Sequence, residues 1–151
     1  MNLGALEKRV PPPLLLVLLM ALAWFAHGPA FDFPGRVPAG IALMAAGLGL
    51  KIIAALAFRA RGTTVSPLAP ERSAALVVDG LYRVTRNPMY LGAVTILIGW
   101  KLYLGAWPAL LAVPVYVLYL NRFQIGPEER ALSALFGADY DAYRARVRRW
   151  I

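Results

Sequence analysis

The chain predicts an all-α integral membrane protein: about four transmembrane helices, followed by amphipathic helices on the cytoplasmic side. Three observations carry that expectation. Of 151 residues, 60% are hydrophobic, against roughly half in a water-soluble domain. The excess is gathered into long blocks instead of being spread with an amphipathic period. The net charge of +8 lies almost wholly at one end of those blocks. A chain of this length has room for one domain, residues 1–151.

The first block, residues 10–26, follows Lys8 and Arg9. A basic start and an apolar centre also describe a cleaved signal peptide, but Pro11, Pro12 and Pro13 suit the first turn of a retained span. Residues 27–38, with Gly28, Pro29, Pro34 and Gly35, read as an extracytoplasmic loop. The second block, 37–58, carries Gly40, Ala42, Ala45, Ala46, Gly47 and Gly49, which let a neighbouring helix approach closely. Lys51 stands about 10 Å below the cytoplasmic end of that block at 1.5 Å per residue, so it either snorkels or faces a polar interior. The third block, 89–104, is about 24 Å long if helical, with Lys101 and Tyr103 at its far end. The fourth, 106–125, contains Pro114, expected to kink it.

Placed on this scheme, thirteen of the sixteen Lys and Arg lie on one side, Arg36 and Lys101 on the other, and Lys51 within. By the positive-inside rule both termini, the connection 59–88 and the C-terminal tail are cytoplasmic, as in a bacterial inner-membrane protein. Because orientation accounts for the charge, a nucleic-acid partner has no support. The single histidine, His27, falls in the outer loop, and there is no cysteine. Multi-histidine iron sites, Ser/His or Cys/His nucleophiles, zinc–thiolate sites and disulfides are therefore excluded, and no metal site is expected.

Two polar stretches break the apolar pattern. In residues 80–92, GLYRVTRNPMYLG, Pro88 forces Asn87 out of the helical region and suits the first turn of the next helix. Arg86 and Asn87 then occupy a turn at the membrane surface, flanked by Tyr82 and Tyr90. An ordinary interfacial anchor would look the same. In residues 121–137, NRFQIGPEERALSALFG, Pro127 is expected to begin a helix with Glu128 and Glu129 in its first turn. Leu132, Leu135 and Phe136 form its apolar face, Gly137 stops it, and Asp139 caps a second, basic helix carrying Tyr140, Tyr143 and Val147, so that C-terminal helices occupy 127–149. Such a tail can simply lie on an anionic membrane surface.

Together these stretches resemble the isoprenylcysteine carboxyl methyltransferase family and its phospholipid methyltransferase relatives, integral membrane enzymes that use S-adenosylmethionine. The resemblance covers about half the chain. It rests on G-x-Y-R-x-x-R-[HN]-P-x-Y-x-G at 80–92, E-E-x-x-L-x-x-x-F-G-x-x-Y-x-x-Y at 128–143, and V-x-R-W at 147–150. It implies that Leu76, Val77, Tyr82, Arg86, Asn87, Pro88, Met89, Tyr90 and Glu128 form the cofactor site. Asn87 replaces the usual His, which keeps hydrogen bonding but removes a general base titrating near neutral pH. The family's substrate-anchoring Arg corresponds to Gln124, with Arg122 close by, so Arg122, Gln124 and Glu128 are the candidate catalytic residues. Glu129 reads as a cap or as support for Glu128.

Methyl transfer from a sulfonium needs in-line positioning and exclusion of water, and no metal. A soluble donor enters from the cytoplasm while a lipophilic acceptor arrives through the bilayer, which puts the reaction at the interface. The resemblance thus implies S-adenosylmethionine as cofactor and membrane lipids or a lipophilic acceptor as partners, in an isoprenylcysteine carboxyl O-methyltransferase-like reaction. Phospholipid amine N-methylation, a sterol-reductase-like oxidoreductase using reduced nicotinamide, and a non-catalytic membrane scaffold are the alternatives.

Overall fold

The apolar blocks fold as helices, as expected of long runs of unbranched and small residues without internal breaks. The computed structural model describes residues 10–25, 30–63, 75–107 and 111–151. In it, α1 runs Pro12–Phe25, α2 Arg36–Ala60 and α3 Pro88–Leu104, with a 3₁₀ turn, Gly80–Arg83, just before α3. Helix α4 (Ala112–Tyr119) passes through a π-helical segment, Leu120–Ile125, into α5 (Gly126–Phe136), and α6 (Ala138–Arg146) follows. Among the described residues there is no strand, only an isolated antiparallel bridge between Ala30 and Ala106.

Helix α2 has 25 residues, about 37 Å at 1.5 Å per residue. Among the described residues it is the one helix long and apolar enough to cross a membrane. The blocks expected as the first and third spans, 10–26 and 89–104, form the apolar but shorter helices α1, 14 residues, and α3, 17 residues. The expected fourth span, 106–125, is not one α-helix. Ala106 pairs with Ala30, α4 begins only at Ala112, and its α-helical pattern ends at Tyr119. Pro114 therefore lies in the first turn of α4, where its missing N–H has no role to fill and no mid-helix kink results.

The irregularity falls further along, at Leu120–Ile125. Pro127 does not begin a separate helix: Tyr119, Leu120, Ile125 and Gly126 all keep right-handed helical backbone angles, so α4, the π segment and α5 are one rod. A proline inside a helix leaves one carbonyl without a donor and presses its ring on the carbonyl four residues back. Here the turn before it is widened, with the Gly126 N–H bonded to the Asn121 carbonyl five residues back. That extra residue in the turn accommodates Pro127 and rotates the residues after it relative to those before.

Helices α2 and α3 pack antiparallel at backbone distance. A Cβ on Gly47 would stand 2.5 Å from the Gly92 carbonyl oxygen, and one on Gly40 2.8 Å from the Gly99 carbonyl oxygen. The two glycine pairs are seven residues apart on each helix, which keeps them on one face. Of the small residues noted in the sequence, Gly49 has no such neighbour. Gly47→Val should therefore lower the thermal midpoint of the detergent-solubilised protein by several degrees, as overpacking costing about 1–3 kcal/mol does. Gly49→Val is the control, expected to leave the midpoint unchanged.

Helix α1 packs on α3 and on the rod through a core of Leu16, Ala93, Leu97, Tyr116, Leu120 and Ile125. The Tyr116 hydroxyl donates to the Pro12 carbonyl at 3.2 Å. The outward faces remain apolar, with Leu18, Phe25, Ile53, Leu56, Val115 and Leu118 exposed. At the end of α3 distant from Asn87, Arg36 donates to the Leu102 and Tyr103 carbonyls, and Lys101 stands over the rings of Phe31 and Trp107. That end is closed by its own side chains.

Candidate active site

The turn that opens α3 has the conformation the sequence implies. Gly80 takes a left-handed φ of +57°, the 3₁₀ turn places Tyr82 edge-on against Phe58 with ring centroids 5.3 Å apart, and Asn87 has φ −129°, outside the helical region, before Pro88 at the first position of α3. The C-terminal tail fastens onto this turn through main-chain groups. The Arg86 N–H donates to the Arg148 carbonyl at 3.0 Å, and the Thr85 hydroxyl and the Asn87 side-chain amide both donate to the Arg149 carbonyl, at 3.2 and 2.9 Å. The Tyr143 hydroxyl donates to the Tyr82 carbonyl at 2.7 Å.

Two carboxylates, adjacent in sequence, have different surroundings. Glu128 Oε1 accepts from the Tyr90 hydroxyl at 2.6 Å and from Gln124 Nε2 at 2.5 Å, both neutral donors. Glu129 accepts from two arginines: Arg86 Nη2 at 2.6 Å on Oε1, and Arg149 on both oxygens, Nε at 3.1 Å and Nη2 at 2.6 Å. Its side chain is 12% exposed. Arg86 extends further, donating through Nη1 to the Arg144 and Val147 carbonyls at 3.0 and 2.9 Å. Glu129 is thus more than a helix cap: it is the centre of a clamp joining the turn, α5 and the tail.

Burial opposes the charge of Glu129, but the bonds from Arg149 and Arg86 outweigh it and hold the carboxyl below its usual range. The same pairing raises Arg149. A carboxylate held low in the folded chain contributes stability that is fully present above its unfolded value, about 4.3, and is lost as pH falls through the lower folded value. Exchange protection at the Arg86 and Val147 amides, which donate to the Arg148 and Tyr143 carbonyls, should therefore hold from pH 7 to pH 5 and fall only below about pH 4, as hydrogen-exchange mass spectrometry corrected for the intrinsic pH dependence of exchange would register. Tyr140 beside it is pushed up to about 12, first by burial and then by the Glu129 charge.

Between the turn, α2, α5 and the tail lies a cavity of about 250 Å³, at the lower edge of the range of small-molecule sites, roughly 300–1,000 Å³. Of the residues the sequence proposed for a cofactor, Leu76, Val77, Tyr82, Arg86, Asn87, Met89, Tyr90 and Glu128 line it. Pro88 does not; it is fully buried and sets the start of α3. Of the proposed catalytic residues only Glu128 lines the cavity. Gln124 is completely buried beneath Glu128, and Arg122 is exposed, with its guanidinium 5.5 Å from the Phe123 ring centroid. The Gln124 contact follows from the π turn and the four-residue step to Glu128.

The cavity also takes residues that the sequence reading left out or undecided. Lys51, Ala55 and Phe58 line it from one face of α2, so Lys51 faces the interior instead of snorkelling. Pro12 and Pro13 reach it from the start of α1, and Tyr140 and Tyr143 roof it from α6. The i, i+4, i+7 spacing of Lys51, Ala55 and Phe58 was the available signal. The two prolines had none, because only tertiary packing brings α1 there. Among the described residues, no cluster of His, Cys, Asp or Glu is arranged to hold a metal ion.

Residues 36–139, the region containing α2, α3, the π turn and both carboxylates, match the family model described as phospholipid methyltransferase. The chain belongs to the phospholipid methyltransferase family. A fission-yeast (Schizosaccharomyces pombe) protein-S-isoprenylcysteine O-methyltransferase is 32% identical over 72 residues, 48% of this chain; the match spans 30% of the yeast enzyme's length. An uncharacterized protein of Haemophilus influenzae is 44% identical over 63 residues, 42% of this chain and the whole of the relative. No solved structure matches. This phospholipid methyltransferase family member therefore has a methyltransferase lineage on one side of its kinship and an isoprenylcysteine O-methyltransferase on the other.

Proposed function

We propose that this chain transfers a methyl group from S-adenosylmethionine to a lipophilic acceptor at the cytoplasmic face of a membrane, in the manner of an isoprenylcysteine carboxyl O-methyltransferase. The supporting observation is the convergence of Leu76, Val77, Tyr82, Asn87, Tyr90 and Glu128, from two distant pieces of chain, on one cavity. The residues fit the donor. Tyr82, Tyr90 and Phe58 offer aromatic faces to a purine and a sulfonium, Glu128 offers a carboxylate to an ammonium or to ribose hydroxyls, and Leu76 and Val77 offer non-helical backbone. The Tyr82 hydroxyl is buried and has no hydrogen-bond partner among the described residues, leaving it available to a ligand.

Bound there, S-adenosylmethionine would supply an activated methyl group. The chain's own contribution is positioning and exclusion of water. Tyr90 and Gln124 hold the Glu128 carboxylate in one orientation, and the clamp at Glu129 keeps Tyr140, Tyr143 and the tail over the cavity. Asn87, donating its amide to the tail, joins roof to turn and does not act as a base. The four-span arrangement with both termini cytoplasmic belongs to this reading, supported by the length of α2, the apolar outer faces and the segregation of charge. The family description favours one second acceptor class, the amine of a phospholipid. Incubating purified protein and a membrane extract with methyl-labelled donor, then identifying the labelled lipid as ester or amine, separates the two. Calorimetry that detects binding of reduced nicotinamide but not of S-adenosylhomocysteine would refute the methyltransferase reading.

A further inference from the structure

Lys51 is a cation on α2, a helix long and apolar enough to cross a membrane, and positioning of the methyl donor makes no use of it. Such a residue is expensive in a membrane span unless something in the interior answers its charge. Its stem passes over Gly92, where a Cβ would meet the Lys51 Cγ at 2.8 Å, so the absence of a side chain there clears its path. With Gly47 opposite Gly92 in the antiparallel pair, Lys51, four residues on, stands level with the first residue of α3 and close in height to Tyr90. It lines the cavity yet makes no hydrogen bond or ion pair with any described residue. The other cations at the site are already engaged: Arg86 and Arg149 hold Glu129.

We propose that Lys51 is the anion-binding residue of the cavity, receiving a carboxylate or phosphate of a bound ligand beside the Tyr90–Glu128 pair. This rests on the reading of the cavity as a donor and acceptor site. Two sources supply that chemistry, the amino-acid carboxylate of the donor and an acidic head group on the acceptor, and Lys51 serves whichever lies against it.

The test uses the full-length protein in detergent and the variants Lys51→Met, which keeps the stem, and Lys51→Arg, which keeps the charge. Calorimetry compares S-adenosylhomocysteine with 5′-methylthioadenosine, which lacks the amino-acid arm, and, without any nucleoside, laurate and dodecyl phosphate with dodecanol. A charge-assisted contact is expected to favour the anionic probe by about tenfold or more. If Lys51→Met removes that preference in the nucleoside pair, the anion is the donor's; if in the amphiphile set, it is the acceptor's. Either result, with the preference kept in Lys51→Arg, supports the assignment. Unchanged preferences in both sets for Lys51→Met overturn it. Failure of both nucleosides to bind the unaltered protein would instead overturn the methyltransferase reading, and the amphiphile comparison would still report on Lys51.

Discussion

Glu128→Ala should lower affinity for S-adenosylhomocysteine about a hundredfold and reduce methyl transfer at least as much, because it removes a charged contact to the ligand and leaves Tyr90 and Gln124 without their shared acceptor. Hydrogen bonds to charged groups are worth about 1.5–3 kcal/mol each, and every 1.4 kcal/mol or so is tenfold in binding. Gln124→Leu should have a smaller effect, about tenfold by the same reasoning, since Tyr90 still holds Glu128 from the other side. Arg122→Ala should leave donor binding unchanged: its side chain is exposed and outside the cavity. Titration calorimetry on the three variants gives the ranking. If Arg122→Ala weakened donor binding as much as Glu128→Ala, Glu128 would not be the centre of the site.

Arg86→Met should destabilise the protein strongly. The side chains of Arg86 and Glu129 are 11% and 12% exposed, and removing one partner of a buried pair costs up to about 3–5 kcal/mol where the remaining charge is left uncompensated. Arg149 still reaches Glu129, but the bonds from Arg86 to the Arg144 and Val147 carbonyls are lost as well. The tail should then detach, seen as cleavage near Arg148 by trypsin under conditions where the unaltered protein resists. If Arg86→Met left the tail as protected as before, the clamp would not be what holds it.

Much of the architecture was legible in the sequence because it depends on local rules. Apolar blocks without breaks give helices, a proline excludes its predecessor from the helical region, and the Asn87–Pro88 turn follows from that alone. The continuous rod was not legible. Pro127 after Gly126 has the pattern of a helix start, and whether the chain instead widens the preceding turn depends on packing of Leu120, Gln124 and Ile125 in the core. For the same reason the expected span over 106–125 ends in a π segment.

The candidate site shows the same division. Motif residues from 80–92 and 128–143 gather on one cavity, but the clamp could not be read in advance: Arg149 reaches Glu129 across twenty residues, and Arg86 reaches it across forty-three. Nothing in the spacing of acidic and basic residues distinguishes that pairing from the many others a basic tail allows. Gln124 stands by resemblance in the place of the family's substrate-anchoring Arg, and its donation to Glu128 depends on the π turn before it. For Lys51 the sequence allows either snorkelling or a polar interior, and the packing of α2 on Gly92 turns it to the cavity.

The central claim is that one donor molecule touches both polar stretches at once. A crystallographic or cryo-electron microscopic structure of the full-length protein with S-adenosylhomocysteine tests it most directly. The nucleoside is expected within the cavity, in contact with Glu128 on one side and with residues of the Asn87–Tyr90 turn on the other. S-adenosylhomocysteine ordered elsewhere on the molecule, or in contact with the turn while Glu128 faces away from it, would contradict the account.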